Sequence, residues 1–209
     1  AIIDPNFVDG MPKGLTSSSG IDALVHALEA YVSCMATNFT NSNALEACKL
    51  VFKYLRRSYE NGASDPLARE KMHYAATIAG MAFANSFLGL CHSMAHKLGA
   101  MYHVPHGVAN ALLFRQIIKY NASDAPHKQA IFPQYKCPNA KAKYGQIADE
   151  LGVTKQAVHQ KRKSKELSTA LQPFTTTVDG VVYISVDGEN LIKRAFLKND
   201  RKQVDGSFT

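Results

Sequence analysis

Histidines and carboxylates at helical spacing are the residues of this sequence that could do chemistry. Asp22 and His26 are four residues apart in GIDALVHALEAY, and His92 and His96 have the same spacing. On a helix, residues four apart lie on one face, so each pair could converge on a metal ion. Three or four imidazole and carboxylate groups suit iron, zinc or cobalt. The pattern therefore predicts a metal site.

The spacing by itself does not choose the ligands. Four of the 8 histidines lie within the segment CHSMAHKLGAMYHVPHGVANA, and each is a candidate: His92, His96, His103 and His106. A single histidine on a helix is also typical of a packed or surface side chain that binds nothing. The elements around these residues must decide between the two interpretations.

The first three quarters of the chain have the pattern of helices. Apolar side chains recur at three- and four-residue spacing, as at Ile21, Leu24 and Leu28, which predicts a helix with one buried face. Asp65 and Pro66 have the residue types of an N-cap and of a first helical position. We therefore expect this part of the chain to be almost entirely helical.

Near residue 150 the pattern changes. The stretch TTTVDGVVYISVDGEN, residues 175–190, alternates apolar and polar side chains around two Asp-Gly pairs. Such alternation predicts a short β-hairpin, which we expect near residues 180–187. The fold class is therefore predicted to be mainly α, with one small β segment close to the C-terminus.

Composition excludes several classes of protein. Hydrophobic residues make up 46% of the 209 residues and charged residues 20%, as in globular proteins with a buried core. The sequence has no apolar run of the roughly 18 residues that a membrane span needs and no signal-peptide pattern, so a cytoplasmic protein is expected. The 4 cysteines lack C-x-x-C spacing, which argues against a zinc ribbon and favours reduced thiols.

Three strings, GIDALVHALEAYVS, AGMAFANSFLGLCHSMAHKLGA and YHVPHGVANALL, resemble the metal-binding domain of the iron-containing, group III alcohol dehydrogenases. The resemblance is strongest to the alcohol dehydrogenase half of the bifunctional acetaldehyde/alcohol dehydrogenases, and it covers residues 1 to about 152. It implies four metal ligands, which its D-x-x-x-H, H-x-x-x-H and P-H-G motifs place at Asp22, His26, His92 and His106.

The same resemblance assigns roles to two further side chains. His96 takes the place of a histidine beside the substrate, which implies a proton relay, and Phe83 that of an aromatic residue lining the nicotinamide and substrate pocket. His103 matches no functional position, so we expect it at the surface. The implied chemistry is interconversion of an alcohol and an aldehyde on Fe²⁺, with Zn²⁺ as the alternative metal, because a bound cation lowers the pKa of an alcohol hydroxyl.

The hydride acceptor implied by the resemblance is NAD, which this family holds in a separate α/β domain. The sequence has no G-x-G-x-x-G fingerprint and no βαβ pattern, the usual signs of such a domain. We therefore expect a truncated, all-helical metal-binding domain that is inactive on its own. Its oligomeric state stays open.

The C-terminal part of the chain resembles something else. Residues 144–163, YGQIADELGVTKQAVHQKRK, have the spacing of a bacterial helix-turn-helix, with Gly152 in the turn. This implies DNA contacts from Gln156, His159, Lys161 and Arg162, the last two to phosphates. The net charge is +7, and the densest basic run, KRKSK, lies at residues 161–165, although such a run is also typical of a solvated helix face.

Two domains are therefore predicted, a helical metal-binding domain at 1–143 and a helix-turn-helix with a hairpin at 144–209. The leading hypothesis is the metal-binding part of an iron-dependent alcohol dehydrogenase, with a small alcohol or aldehyde as its substrate. A DNA-binding protein that acts through its C-terminal segment is the alternative. A third hypothesis is a non-functional chimeric remnant joined near residue 150.

Overall fold

The computed structural model describes residues 2–123 and 139–153, together with the backbone of residues 175–178 and 181–184. These residues form six α-helices: α1 (Lys13–Val32), α2 (Asn38–Asn61), α3 (Pro66–Ser86), α4 (Leu90–Tyr102), α5 (His106–Ala122) and α6 (Ala140–Glu150). Short 3₁₀ helices lie at Pro5–Val8 and Gly62–Ser64, and two strands follow, β1 (Thr175–Val178) and β2 (Val181–Ile184). The described part of the chain is mainly α, as predicted.

Helices α1, α2 and α3 pack against one another around the larger of two apolar cores. Small residues dominate the contact surfaces, and eight alanines are fully buried there: Ala27, Ala30, Ala44, Ala47, Ala68, Ala75, Ala79 and Ala82. Short side chains let helix axes approach closely, so the three helices pack tightly against one another. Helix α5 packs on α1 and α4, and a smaller core of Val25, Cys91 and Ile117 joins these three helices.

The first turn of α5 lies directly against the backbone of α1. A Cβ added at Gly107 would overlap the carbonyl oxygen of Ser18. Backbone can give way much less than a flexible side chain, so only glycine permits this approach. The contact brings the N-terminus of α5, which begins at His106, next to the middle of α1.

Side chains cap α2 and α3, two of the three helices around the larger core. Thr37 and Thr40 make a reciprocal capping box at the start of α2. Asp65 begins α3: its Oδ1 accepts the N–H of Ala68 at 3.1 Å, and Arg57 donates to both carboxylate oxygens at 2.9 and 3.1 Å. The cap predicted at Asp65 is confirmed. The Arg57 guanidinium lowers the pKa of Asp65 below its ordinary value.

Helix α6 packs on the helical core, which differs from the predicted separation of residues 144–163 from that core. Ile147 is buried in the larger core, and Tyr144 and Leu151 pack against it. The Tyr31 hydroxyl also donates to Oε1 of Gln146 at 3.1 Å. The apolar face of α6 is thus covered by the helical core.

The chain accordingly divides into compact units at Ala1–Leu151 and Gly152–Thr209, eight residues beyond the predicted division between 143 and 144. The turn predicted at Gly152 is present, because α6 ends at Glu150 and Gly152 has a φ of +64°. The second helix of the predicted helix-turn-helix, with Gln156, His159, Lys161 and Arg162, lies outside the described residues.

The hairpin is formed by β1 and β2, which pair antiparallel with Thr175 opposite Ile184 and Val178 opposite Val181. It begins five residues before the predicted range of 180–187. Both Asp-Gly pairs of this segment suit a two-residue connection, and the first of them, Asp179-Gly180, separates the strands. The alternating pattern could not distinguish between the two pairs.

No single helix in the described part of the chain is long and apolar enough to cross a membrane. Helices α3 and α4 pass that test only when they are taken together, across a bend of 106°.

Replacing Asp65 with alanine removes both the cap of α3 and the ion pair, and we expect it to lower the free energy of unfolding by about 1–2 kcal/mol. Asp65→Asn keeps an oxygen for the Ala68 N–H and should cost less. The pKa of Asp65 is lowered in the folded chain. The carboxylate charge therefore stabilises the folded chain at pH values above the pKa that Asp65 has in the unfolded chain. This contribution is lost as the pH falls through the pKa of Asp65 in the folded chain.

Urea unfolding of the wild type and the Asp65→Asn variant, near pH 6 and near pH 3, measures this contribution. The difference between the two proteins should shrink at the lower pH. A difference that stays constant with pH would show that the carboxylate charge contributes nothing.

Candidate metal centre

Three helices bring four ligand-type side chains to one place. Asp22 and His26 come from adjacent turns of α1, His92 from the first turn of α4, and His106 is the first residue of α5. One oxygen or nitrogen atom from each side chain lies within 4.8 Å of the others. The predicted convergence of these four residues is therefore confirmed.

The spacing of these atoms suits a single ion. Asp22 Oδ1 lies 3.4 Å from Nε2 of His92 and 3.4 Å from Nε2 of His106. A tetrahedral site with bonds of about 2.0–2.1 Å has ligand atoms separated by about 3.3–3.4 Å. Nδ1 of His26 lies 3.9 Å from the other oxygen of Asp22. The donor set is one carboxylate and three imidazoles, which both Fe²⁺ and Zn²⁺ accept.

Ring stacking holds His26 in place within this cluster. Its imidazole lies between the ring of Phe83, with centroids 4.4 Å apart, and the ring of His92, with centroids 4.3 Å apart. The two stacks are nearly parallel, at 19° and 16°. Phe83 is thus in direct contact with a side chain of the cluster.

Of the four histidines that the spacing left as candidate ligands, two lie in the cluster and two do not. His92 and His106 join Asp22 and His26, whereas His96 is exposed at the edge of the cluster, its ring stacked on His106 with centroids 5.0 Å apart. His103 is exposed, as predicted, and ends α4 with a φ of +53°. The cluster is closed at His92, which is 1% exposed, and opens towards His106 and His96.

Sequence reasoning missed Glu29, which lies directly behind His92. Its carboxylate is 3% exposed, and Oε2 lies 2.7 Å from Nδ1 of His92. A signal was available, because Asp22, His26 and Glu29 are spaced four and three residues apart and so share one face of α1. The D-x-x-x-H motif ends at His26, so it does not indicate a role for Glu29 on that face.

Asn110 was also missed. Its amide is fully buried, and Nδ2 donates to Asp22 Oδ1 at 2.6 Å while lying 3.2 Å from Nε2 of His92 and 3.3 Å from Nε2 of His106. Asn110 follows His106 by four residues, the same helical spacing as the two pairs noted in the sequence. The amide therefore orients the carboxylate of Asp22 from within the cluster.

Burial and charge set the protonation of the cluster. Burial opposes a charge on His92, but hydrogen bonds to Asp22 and Glu29 outweigh it and raise the pKa of His92 to about 9. Burial lowers the pKa of His26 to about 4, although the Asp22 carboxylate opposes this shift. For both carboxyl groups, burial is outweighed by hydrogen bonds, chiefly with His92, so the pKa of Asp22 and of Glu29 is lowered.

At neutral pH the cluster therefore contains the Asp22 carboxylate, a neutral His26 and a protonated His92, with the Glu29 carboxylate directly behind His92. The two negative charges attract a cation. A cation that binds Nε2 of His92 must displace the proton held there. Cys91 is not one of the four ligand-type residues of the cluster; burial raises the pKa of its thiol to about 12, and its Sγ lies 3.5 Å from Oδ1 of Asn110. The donor chemistry thus fits a divalent metal bound by nitrogen and oxygen.

Comparison with known proteins shows which family the chain is similar to. The model of the Fe-containing alcohol dehydrogenase family, C-terminal, matches residues 16–182. The bifunctional aldehyde-alcohol dehydrogenase AdhE of Escherichia coli strain K12 is 56% identical over 154 residues, which cover 74% of this chain and 17% of that protein. The aldehyde-alcohol dehydrogenase of Clostridium acetobutylicum is 50% identical over 187 residues, or 87% of this chain and 22% of that protein.

A solved structure gives the same result. The iron-containing alcohol dehydrogenase from Thermococcus thioreducens superposes with a TM-score of 0.64 at 29% identity, over 96% of this chain and 54% of its own. The chain thus spans about a fifth of the curated aldehyde-alcohol dehydrogenases and about half of the solved protein.

The family match also corrects one prediction. It continues to residue 182, past the predicted limit near 152, and so includes residues 144–163, for which a helix-turn-helix was predicted. DNA binding by this segment stays a prediction. By its match over 16–182, its helical fold and its cluster of one carboxylate and three histidines, the chain belongs to the Fe-containing alcohol dehydrogenase family.

Proposed function

We propose that Asp22, His26, His92 and His106 bind one divalent metal ion, Fe²⁺ by family with Zn²⁺ as the alternative. The observation that carries this proposal is the meeting of their ligand atoms within 4.8 Å, at the junction of three helices. Separations of 3.4 Å between Asp22 Oδ1 and two imidazole nitrogens support a single shared ion rather than two. Membership of an iron-containing family supports iron as the native metal.

We propose that the centre serves the interconversion of an alcohol and an aldehyde. A divalent ion held there would supply Lewis acidity, which favours loss of the alcohol proton and polarises a carbonyl oxygen. His96 is exposed beside His106, where its imidazole can carry a proton between the substrate and solvent. Phe83, stacked on His26, gives the substrate an apolar surface.

The hydride acceptor is proposed to be NAD, as expected for this family, bound by parts of the protein other than this chain. The sequence contains no G-x-G-x-x-G fingerprint, and the chain covers 17% of the bifunctional relative from Escherichia coli.

Metal binding by the purified chain tests the proposal without requiring turnover. We expect about one Zn²⁺ or Fe²⁺ per chain after anaerobic loading and gel filtration, measured by elemental analysis. The double variant Asp22→Ala/His92→Ala should retain less than about a tenth of this, because it removes two of four ligands. Retention of a full equivalent by the double variant would refute the ligand assignment.

His103→Asn is the matched control. It also removes a histidine of the same segment, but an exposed one at a left-handed position that asparagine tolerates. This variant should bind as much metal as the wild type. Circular dichroism of all three proteins would show that the double variant keeps its helices.

NAD-dependent alcohol oxidation should be undetectable with the metal-loaded chain alone. Positioning the nicotinamide against the substrate contributes roughly 7–11 kcal/mol in well-oriented reactions, and the sequence has no G-x-G-x-x-G fingerprint with which to hold it. NADH absorbance with a primary alcohol measures this directly. Sustained NADH formation, proportional to the amount of chain, would show that this chain binds the cofactor itself.

A further inference from the structure

We propose that Glu29 is a positioning residue of the metal centre, which presents Nε2 of His92 to the ion and fixes the start of α4 against α1. The inference rests on the proposed metal-binding function. The carboxylate does not belong to the ligand cluster, and it is not a member of the D-x-x-x-H, H-x-x-x-H or P-H-G motif.

The surroundings of Glu29 show that its burial is compensated in an unusual way. A buried carboxylate is costly unless charges or hydrogen bonds satisfy it. The ion pair that Glu29 forms is with His92, whose Nδ1 lies 2.7 Å from Oε2. Its partners are four N–H groups of one short segment: the backbone of Gly89, Cys91 and His92, and the ring of His92.

Through its backbone contacts, the Glu29 side chain of α1 performs the capping function at the start of α4. Gly89 occupies the N-cap position and has no side chain to offer. Glu29 instead accepts the N–H of Cys91 at 2.7 Å and that of His92 at 3.3 Å, the second and third residues of the helix, whose donors have no partner within it. These hydrogen bonds fix the position of His92 along the axis of α1.

The ring contact determines which nitrogen of His92 faces the ion. Nδ1 lies 2.7 Å from Oε2 of Glu29, while Nε2 lies on the side of Asp22 Oδ1, 3.4 Å away. A carboxylate at Nδ1 keeps the proton on that nitrogen and leaves the lone pair of Nε2 for a cation. The same contact makes the imidazole a stronger donor to the metal.

Gly89 gives independent support for this arrangement. A Cβ at Gly89 would lie 2.8 Å from Oε1 of Glu29, closer than side chains approach. The glycine therefore leaves the space that the carboxylate occupies. The start of α4 therefore packs against α1 through the Glu29 side chain.

Glutamine at this position cannot reproduce the contacts. All four partners of Glu29 are donors, so the amide nitrogen of Glu29→Gln would face an N–H group, or would donate to Nδ1 of His92 and move the ring proton to Nε2. Either outcome weakens the metal site. We expect Glu29→Gln to bind Zn²⁺ about 10- to 100-fold more weakly than the wild type, the usual effect of losing such a partner.

Zn²⁺ titration by competition with a chromophoric chelator tests this, with Asp65→Ala as the matched control. That variant also loses a helix N-cap, but on α3 and outside the cluster. A merely structural role of Glu29 would make the two variants behave alike once folded. The proposal expects Asp65→Ala to match the wild type, and equal affinity of Glu29→Gln and the wild type would overturn it.

A second measurement uses the wild type and so does not depend on whether the variant folds. ¹⁵N spectra of the histidine rings in the Zn²⁺-loaded chain should show His92 protonated at Nδ1 and bound to zinc through Nε2. Coordination through Nδ1 would overturn the role of Glu29 while leaving the metal site intact. Absence of zinc binding by the wild type would instead contradict the proposed function.

Discussion

A buried network of hydrogen bonds joins α1, α4 and α5, and the candidate metal centre depends on it. Glu29 and Asp22 of α1 contact His92 of α4, and Asn110 of α5 contacts Asp22. Buried polar groups destabilise a fold unless they are paired. None of these side chains is among the buried polar groups of the described residues that lack a partner. The polar cluster can therefore sit inside an otherwise apolar helical unit.

Close backbone contacts place that network. Gly107 lets the first turn of α5 approach α1 at Ser18, and Gly89 lets α4 begin against the Glu29 carboxylate. These two glycines stand at the starts of the two helices that carry His106 and His92. The histidines are consequently held at helix N-termini by packing of the main chain, which leaves less freedom than an exposed loop would allow.

The helices and part of the site could be predicted from the sequence, because they depend on local spacing. The pair Asp22 and His26 follows from one turn of helix, and the cap at Asp65 from residue type. Glu29 and Asn110 could not be assigned, since periodicity shows which side chains share a face but not which helix covers that face. The predicted position of α6 was wrong for the same reason. The apolar face around Ile147 could pack equally well on the helical core or on the second helix of a helix-turn-helix.

X-ray absorption at the metal edge of the Fe²⁺- or Zn²⁺-loaded chain tests the central claim most directly. One ion held by Asp22, His26, His92 and His106 should give a shell of nitrogen and oxygen at about 2.0–2.2 Å, with outer-shell scattering from about three imidazoles. A sulfur shell near 2.3 Å, or scattering from at most one imidazole, would contradict this assignment.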